Sequence, residues 1–392
     1  MTYIAHPPAW LSIGGFVVIA VGLWAVRLPR LVPSLPGRLA SIDGLRGVLA
    51  MCVFYHHFFI TYQWKHTGRW EVPPTHLHNL MGGCSVVLFF MITGFLFFGR
   101  IKAARGAINL NAFFAGRVFR LLPVYGVTIV LIYAAALRVT GAPWSTALQP
   151  SFEPWIFFQS TDIAGYPATN LIDAGVHWTL AYEWTFYLAL PLLAFAWTKL
   201  RFEAWALFLL SVAALLVARL NPVLPPLQGL FVAPFALGGL VGEIGRLPAI
   251  RRHAAGWMGT LVCAFAALTL FLSCDNPYSV FSYLILLFVF APIACGNTLF
   301  GLLRTRTMLM LGEISYSLYM LHGLVLFGIY TLVLPDALSH ASTPGRLFSL
   351  LLIASAGAIA AATLVHLAIE RPALRLGRRF VAISREQQLA AP

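Results

Sequence analysis

Two residues of the second apolar stretch, Arg46 and His57, have the types and spacing of a site that handles an anion and a proton. They lie eleven positions apart, so an α-helix places both on one face with a rise of roughly 16 Å. Arginine binds phosphate through its fork of donors, and a neutral histidine accepts a proton from a hydroxyl. The pair fits a donor with phosphates at one end and a thioester at depth, such as acyl-CoA. The alternative is a packing role for His57.

Other polar residues interrupt apolar stretches further along the chain, where burial in lipid makes them costly and therefore functional candidates. Glu183 could orient His57, bind an acceptor hydroxyl or pair with a cation, and we favour a structural or acceptor-side role. Ser315, Tyr319 and His322 recur at helical spacing and share a face. A hydrogen-bonded seam between helices is the favoured role for Ser315 and Tyr316, whereas the role of His322 stays open.

The composition indicates a membrane protein. The chain of 392 residues is 60% hydrophobic and 10% charged, whereas soluble domains carry about 25% charged residues. Its net charge of +13 comes from short clusters between apolar runs, which is the pattern of topology signals, so we expect no nucleic-acid partner.

No metal site is expected. The five cysteines contain no CxxC pair. His66, His76 and His78 fall in a segment interpreted as a solvated outer loop, residues 64–79, where a metal site is the less favoured alternative.

Eleven stretches are apolar enough to be candidate membrane-spanning helices, which need about 20 residues each. They are residues 9–26, 45–63, 80–98, 118–139, 178–198, 203–219, 228–245, 256–273, 279–295, 311–333 and 347–369. We therefore predict an all-α, polytopic bundle of about 11 spans.

The basic residues predict an N-terminus outside and a cytoplasmic C-terminus. With that orientation, all but five of the 26 Lys and Arg residues fall on the inner side, as the positive-inside rule requires. The five exceptions are Lys65, Arg69, Arg138, Arg219 and Arg346. The predicted location is the inner (plasma) membrane, and the first ten residues lack the basic segment of a cleavable signal peptide.

Two segments outside the predicted spans are informative. Residues 140–177 form the longest outer loop, rich in aromatic residues that suit stacking on sugar rings; a plain connector is the alternative. The tail after Arg379 is polar, and we expect it to be frayed or to lie on the membrane surface.

Six blocks of the sequence resemble the acyltransferase-3 family in the expected order. They are IDGLRGVLAMCVFYHH (42–57), LFFMITGFL (88–96), GRVFRLLPVY (116–125), HWTLAYEWTFYLALPLL (177–193), GEISYSLYMLH (312–322) and IERP (369–372). Each block alone is weak, but together they span nearly the whole chain. Thr93 and Thr179 stand where the family has Ser, and Val87 stands where it often has Asp.

The resemblance implies transfer of an acyl group, commonly acetyl, from a cytoplasmic donor to a sugar hydroxyl of a carbohydrate or glycoconjugate. It implies His57 as catalytic base with Arg46 as its partner, and Arg117 and Arg120 as donor-binding groups at the start of the fourth span. There a helix N-terminus would also favour anions; a topology role for both arginines is the alternative. Glu183 is a further catalytic candidate.

The same resemblance adds Trp178, Tyr316, Tyr319 and His322 as substrate or seam candidates. It implies no permanently bound cofactor, with acyl-CoA as a co-substrate. The family often has ten helices, so residues 1–40 are interpreted as an extra span with its linker. Residues 41–379 are then the core and 380–392 the tail of a single membrane domain.

Two other classes of protein share these features. A transporter or flippase of a lipid-linked sugar would have the same buried polar residues, but such proteins often show internal repeats, which are not apparent here. In a sensor or scaffold the polar residues would serve packing alone. Direct attack and a covalent acyl-histidine both remain open, as does the oligomeric state.

Overall fold

The computed structural model describes residues 4–25, 39–73, 75–106, 108–148, 153–200, 204–220 and 229–390. These residues form a bundle of α-helices, and the only β pairing among them is an isolated bridge between Ile163 and Tyr166. The α-helices are α1 (Trp10–Ala25), α2 (Ala40–Thr67), α3 (His76–Ala103), α4 (Leu110–Thr140), α5 (Glu153–Ile156), α6 (Trp178–Leu200), α7 (Ala204–Leu220), α8 (Gly229–Ile244), α9 (Pro248–Ala255), α10 (Trp257–Ser273), α11 (Val280–Ala294), α12 (Arg306–Glu313), α13 (Ser315–Phe327), α14 (Pro344–Val365) and α15 (Arg371–Ala390). Helices satisfy their own backbone hydrogen bonds, which an apolar environment requires.

Each of the eleven predicted stretches corresponds to helical structure, with ends that differ by a few residues. Residues 26, 203 and 228, at three of the predicted ends, lie outside the described part of the chain. The stretch 311–333 was predicted as one helix, which is wrong at its start. Helix α12 ends at Glu313, and α13 begins at Ser315 after a break at Ile314. The break lets α12 pack on α2, where a Cβ on Gly312 would lie 2.0 Å from the Asp43 carbonyl oxygen.

By length and composition, five helical segments of the described chain can cross a membrane. They are His76–Ala103, Leu110–Thr140, Trp178–Ala196, Ser315–Val333 and Pro344–Ala382. A sixth results if α9 and α10, which meet at a bend of 71°, form one broken span. Four further apolar helices have 10–17 residues. The protein is therefore a multi-pass helical bundle, and the count of eleven spans with its orientation stays a prediction.

The C-terminal part of the chain is more regular than the sequence predicts. Helix α14 continues through a π-helical turn at His366–Glu370 into α15, which runs to Ala390. The tail after Arg379 is thus helical and not frayed. The first part of α15 packs against α4, because a Cβ on Gly377 would lie 2.8 Å from the Phe119 side chain.

Glycines allow a close helix contact between α3 and α8. A Cβ on Gly94 would lie 1.9 Å from the carbonyl oxygen of Phe235, and one on Gly238 would lie 1.9 Å from that of Met91. Small residues of this kind let the backbones of membrane helices approach. The contact fixes α3, whose last turn contributes to the site described below.

Helix α2 lies at the centre of the bundle and packs against α3, α12 and α13. The segment 140–177, described except for 149–152, is partly ordered, with short helical turns and a buried Trp155. It meets α13 at Gly323, where a Cβ would lie 2.1 Å from the carbonyl carbon of Asp173. The backbone of this segment therefore packs directly onto a helix of the core.

Candidate active site

A cavity of about 130 Å³ lies between α2, α3, α4, α6 and α13. Its walls are apolar, with Phe89, Phe90 and Phe97 among the lining residues. Its polar lining groups are the side chains of Arg46, Thr93, Arg100, Arg117, Arg120, Thr179, Glu183, Tyr187, Ser315, Tyr316 and Tyr319. Four guanidinium groups face a single carboxylate, so the cavity carries a net positive charge and favours an anion.

Aromatic rings hold two of the arginines in place. The guanidinium carbon of Arg117 lies 5.0 Å from the ring centre of Phe97 and 5.8 Å from that of Tyr187. The guanidinium carbon of Arg100 lies 5.1 Å from the ring centre of Phe97. Cation–π contacts of this kind contribute about 0.5–2 kcal/mol each. The Nε of Arg117 is buried and has no protein partner among the described residues. That nitrogen is available to an anionic ligand.

Helix α4 starts earlier than predicted, so the expectation that its N-terminus favours anions beside Arg117 and Arg120 is wrong. Helix α4 begins at Leu110, capped by Asn109, whose side-chain oxygen accepts from the amide of Ala112 at 2.9 Å. Arg117 lies two turns further along, so no helix N-terminus lies beside it to attract anions. The positive field of the cavity comes from the arginine side chains themselves.

Glu183 lies in the same cavity as the arginines. Its Oε2 accepts a hydrogen bond from the hydroxyl of Tyr187, one turn further along α6, at 2.9 Å. Arg120, Arg117 and Arg46 are the cationic groups that act on it. A carboxylate among several guanidinium groups orients them and offsets part of their mutual repulsion. This position supports a structural role for Glu183 and does not bring it into contact with His57.

His57 forms a pair with His322. The Nε2 of His322 in α13 lies 3.0 Å from the Nδ1 of His57 in α2, and the two ring centres are 4.9 Å apart. His322 is fully buried, whereas His57 keeps part of its surface accessible. The neighbouring His56 points away and lies 2.7 Å through Nδ1 from the carbonyl oxygen of His78. The face that carries Arg46 and His57 is thus the face that meets α13.

Tyr319 connects the cavity to the histidine pair. It lines the cavity, and its ring centre lies 6.1 Å from that of His322 and 6.0 Å from that of Phe89. Its hydroxyl donates to the Oγ1 of Thr179 at 3.1 Å, which ties α13 to α6. A ligand that extends from the arginines toward His57 meets Tyr319 and Phe89 first.

The remaining sequence candidates lie around this site. Tyr316 donates to the carbonyl oxygen of Leu121 in α4 at 2.7 Å, a hydrogen bond between helices of the kind that the predicted seam requires. Ser315 donates locally to the carbonyl oxygen of Gly312 at 2.8 Å, so its role in a seam stays a prediction. Trp178 does not line the cavity, and its ring packs on Tyr182 at 5.5 Å.

The histidine segment before α3 differs from the prediction. His78 lies within α3, is fully buried, stacks on Phe59 at 3.8 Å and bonds to Ser12 of α1 at 2.8 Å. It is therefore a packing residue and not a solvated loop residue. Among the described residues, no group of three or more His, Cys, Asp or Glu side chains could hold a metal ion.

Sequence analysis missed Arg100 and Tyr187 as site residues. Arg100 lies in the last turn of α3, where a basic residue is interpreted as a topology signal, and only the packing of α3 brings it beside Arg117. Tyr187 belongs to the block at 177–193. Its hydrogen bond to Glu183, four residues earlier on the same helix face, could have been predicted from helical spacing.

The chain is similar to known proteins over most of its length. The sequence model of the acyltransferase-3 family, described as an acyltransferase domain, matches residues 39–366. The chain is 26% identical over 385 residues to nodulation protein 10 of Rhizobium leguminosarum bv. viciae, covering 88% of this chain and 96% of that protein. It is also 26% identical over 396 aligned positions to acyltransferase MdmB of Streptomyces mycarofaciens, covering 90% and 94%. No solved structure matches the chain significantly.

The chain belongs to the acyltransferase-3 family and is an O-acyltransferase. It therefore has an acyl donor and an acceptor as substrates. Membership in a family of enzymes also sets aside the transporter and scaffold interpretations of the buried polar residues.

Proposed function

We propose that the protein transfers an acyl group, in the first instance acetyl, from cytoplasmic acyl-CoA to a hydroxyl of a carbohydrate or glycoconjugate at or across the inner membrane. The observation that carries the proposal is the cavity lined by four arginines and by Tyr319, whose ring centre lies 6.1 Å from that of His322, the partner of His57. His57 itself is not among the residues that line this cavity, so we propose that the thioester end of the donor passes Tyr319 to reach it.

The arginine end of the cavity suits the phosphates of acyl-CoA. Arg100, Arg117 and Arg120 lie on the side that the positive-inside rule predicts to be cytoplasmic, where acyl-CoA is available. Arginine forks match phosphate geometry, and apolar walls suit the uncharged arm that carries the thioester. Arg46 and His57 are separated by a rise of roughly 16 Å along α2, so a donor held at Arg46 extends toward His57.

The chemistry at the deep end is a general-base attack. His57 accepts the proton of the acceptor hydroxyl, whose oxygen forms a bond to the thioester carbonyl carbon while the carbon–sulfur bond breaks. The proton then passes from His57 to the thiolate that leaves. Each proton and electron pair is accounted for without a bound cofactor or metal. Direct attack is the simpler route, because no group of the enzyme has to carry the acyl chain.

The segment 140–177 supports an acceptor that enters from the outer side. It packs on α13 at Gly323, next to His322, and the ring of Tyr166 lies 6.5 Å from that of Phe327. Trp144 and Phe157 are largely exposed on this segment. Exposed aromatic rings on this segment suit stacking against the apolar face of a sugar.

The test is transfer of label from radiolabelled acetyl-CoA to a crude extract of lipid-linked glycans, with protein purified into nanodiscs. His57→Ala should lower transfer by about 10²-fold or more, the usual contribution of a general base. His56→Asn is the matched control, because its amide keeps the hydrogen bond to the carbonyl oxygen of His78 and should leave transfer near the wild-type rate.

Label in the glycan with wild type and His56→Asn, and none with His57→Ala, would support the proposal. Full transfer by a folded His57→Ala protein would contradict the role of His57. Failure of folded wild-type protein to transfer label from several acyl-CoA donors would contradict the proposed donor and acceptor.

A further inference from the structure

The hydrogen-bond partners of His57 and His322 determine which nitrogen of each ring carries the proton. The Nδ1 of His322 lies 3.1 Å from the carbonyl oxygen of Leu318, and the Nδ1 of His57 lies 3.1 Å from that of Val53. A carbonyl oxygen only accepts, so each Nδ1 carries the proton when the rings are neutral. The Nε2 of His322 is then an acceptor.

The Nε2 of His322 faces the Nδ1–H of His57 at 3.0 Å. That N–H is shared between two acceptors, the carbonyl oxygen of Val53 and the nitrogen of His322. Both hold the proton on Nδ1 and leave the lone pair of His57 on Nε2. This is the tautomer that a general base needs at Nε2, and a buried acceptor on the other nitrogen is the usual way to fix it.

His322 is unsuited to touch the substrate. It has no accessible surface, and its Nε2 is occupied by His57. The edge of its ring meets Phe54 with centres 6.4 Å apart, and Tyr319 lies between it and the cavity. His57 keeps accessible surface. One ring can therefore react while the other supports it.

We propose that His322 is a positioning residue, which accepts the Nδ1–H of His57, fixes the tautomer and orientation of that ring, and stabilises the imidazolium formed when His57 takes the acceptor's proton. The proposal rests on the proposed function of His57 as a general base. His322 occupies the place that a carboxylate holds in a Ser-His-Asp site, and a neutral acceptor there avoids a buried charge.

Three substitutions at one position separate this role from packing. His322→Gln can place an amide oxygen near the position of Nε2 and thus keep an acceptor for His57. His322→Asn is the matched polar control, because its shorter amide can donate to the carbonyl oxygen of Leu318 as Nδ1 does but does not reach His57. His322→Leu removes both hydrogen bonds and keeps the apolar bulk.

The measurement is kcat and KM for acetyl-CoA in the transfer assay, with the thermal midpoint of each purified variant. We expect His322→Asn and His322→Leu to lower kcat by roughly 10²-fold, and His322→Gln to keep kcat within about tenfold of wild type. The KM for acetyl-CoA should stay at the wild-type value in all three, because His322 does not line the cavity that holds the donor.

Equal kcat in the Gln, Asn and Leu variants, whether high or low, would overturn the proposal. It would show that an acceptor at residue 322 for the Nδ1–H of His57 does not affect the rate. A KM that rises in step with the loss of kcat would also overturn it, because the effect would lie in donor binding. His57→Ala is measured alongside. If it retains transfer, the proposed function fails; if it is inactive while His322→Asn is fully active, only the inference about His322 fails.

Discussion

The positive charge of the cavity comes from four arginine side chains on three helices. Arg46 belongs to α2, Arg100 to α3, and Arg117 and Arg120 to α4. Like charges so close together destabilise one another when no anion is bound, and Glu183 offsets part of that repulsion. A ligand with several phosphate oxygens would relieve the rest, as expected for the proposed donor site.

Replacing Arg117 or Arg120 by Gln should therefore weaken the binding of acyl-CoA. Loss of one charge-assisted contact costs about 1.5–3 kcal/mol, so KM for acetyl-CoA should rise by roughly 10- to 100-fold. The comparison that decides is a short acetyl thioester without phosphates, S-acetyl-N-acetylcysteamine. Its KM should be the same in wild type and variants, and an equal rise for both donors would contradict phosphate binding. Arg252→Gln, at an exposed position of α9, is the control.

Glu370 shows how a buried carboxylate can serve the fold alone. Its Oε2 accepts from the Oγ of Ser317 in α13 at 2.7 Å and bonds to Nδ1 of His366 at 2.9 Å, within the π-helical turn after α14. None of these residues lines the cavity. The cluster ties α13, which carries His322, to the last helices.

We predict that Glu370→Ala lowers the thermal midpoint without changing KM for the donor. It would leave two buried donors without their acceptor, at a cost of about 1–3 kcal/mol each, which amounts to several degrees. Glu370→Gln keeps one acceptor oxygen and should be milder. Differential scanning fluorimetry in detergent compares the two, and a midpoint unchanged by Glu370→Ala would contradict the structural role.

At the scale of elements, the site depends on how close α13 lies to its neighbours. The α2–α13 contact sets the distance between His57 and His322, and the described part of the segment 140–177 packs on α13 at Gly323. Within that segment, Nδ1 of His177 and Oδ2 of Asp173 form a hydrogen bond at 2.6 Å, with both side chains buried. The absence of a side chain at Gly323 is what permits the contact.

Gly323→Ala should therefore displace the segment from α13. The new Cβ would lie about 2.1 Å from the Asp173 backbone, and overpacking of this kind costs roughly 1–3 kcal/mol. We expect a lower thermal midpoint and slower transfer, measured as before. Gly328→Ala is the matched control, because a Cβ there meets nothing within 4 Å. Equal effects of the two substitutions would show that helix propensity, and not the close contact, is responsible.

The whole molecule combines an apolar exterior with a positive net charge. Large side chains such as Leu192 and Phe265 are more than two-thirds exposed on the described surface, which is costly in water and suited to lipid contact. The net charge of +13 comes from clusters of basic residues between the apolar stretches of the sequence. The predicted orientation places most of these clusters on one side of the membrane, where they fix the topology.

Single cysteines in a cysteine-free background test that topology. In intact cells, a membrane-impermeant maleimide should label Asp162→Cys and Asp275→Cys, both at exposed loop positions. Arg252→Cys should react only after the membrane is permeabilised. Because residue 252 lies in α9 and residue 275 follows α10, labelling of both from the same side would show that this bent pair does not cross the membrane. The inverse pattern at all three would reverse the orientation.

Local periodicity was enough to predict the helices and the face shared by Arg46 and His57, since 3.6 residues per turn relates positions of one helix without any knowledge of its neighbours. The position of α4 shows the limit of this reasoning. Polar residues at the start of a helix are hard to distinguish from a loop, so the cap at Asn109 and the two turns before Arg117 were missed.

The sequence by itself determined that the protein is helical and apolar, and the residues that carry its family resemblance. It also singled out the polar residues within the apolar stretches, because each is costly in lipid. Only the tertiary structure decided which of them meet. His57 and His322 are 265 positions apart, and Arg100 joins Arg117 through the packing of α3. Such contacts depend on how whole helices fit together, and no spacing along the chain encodes them.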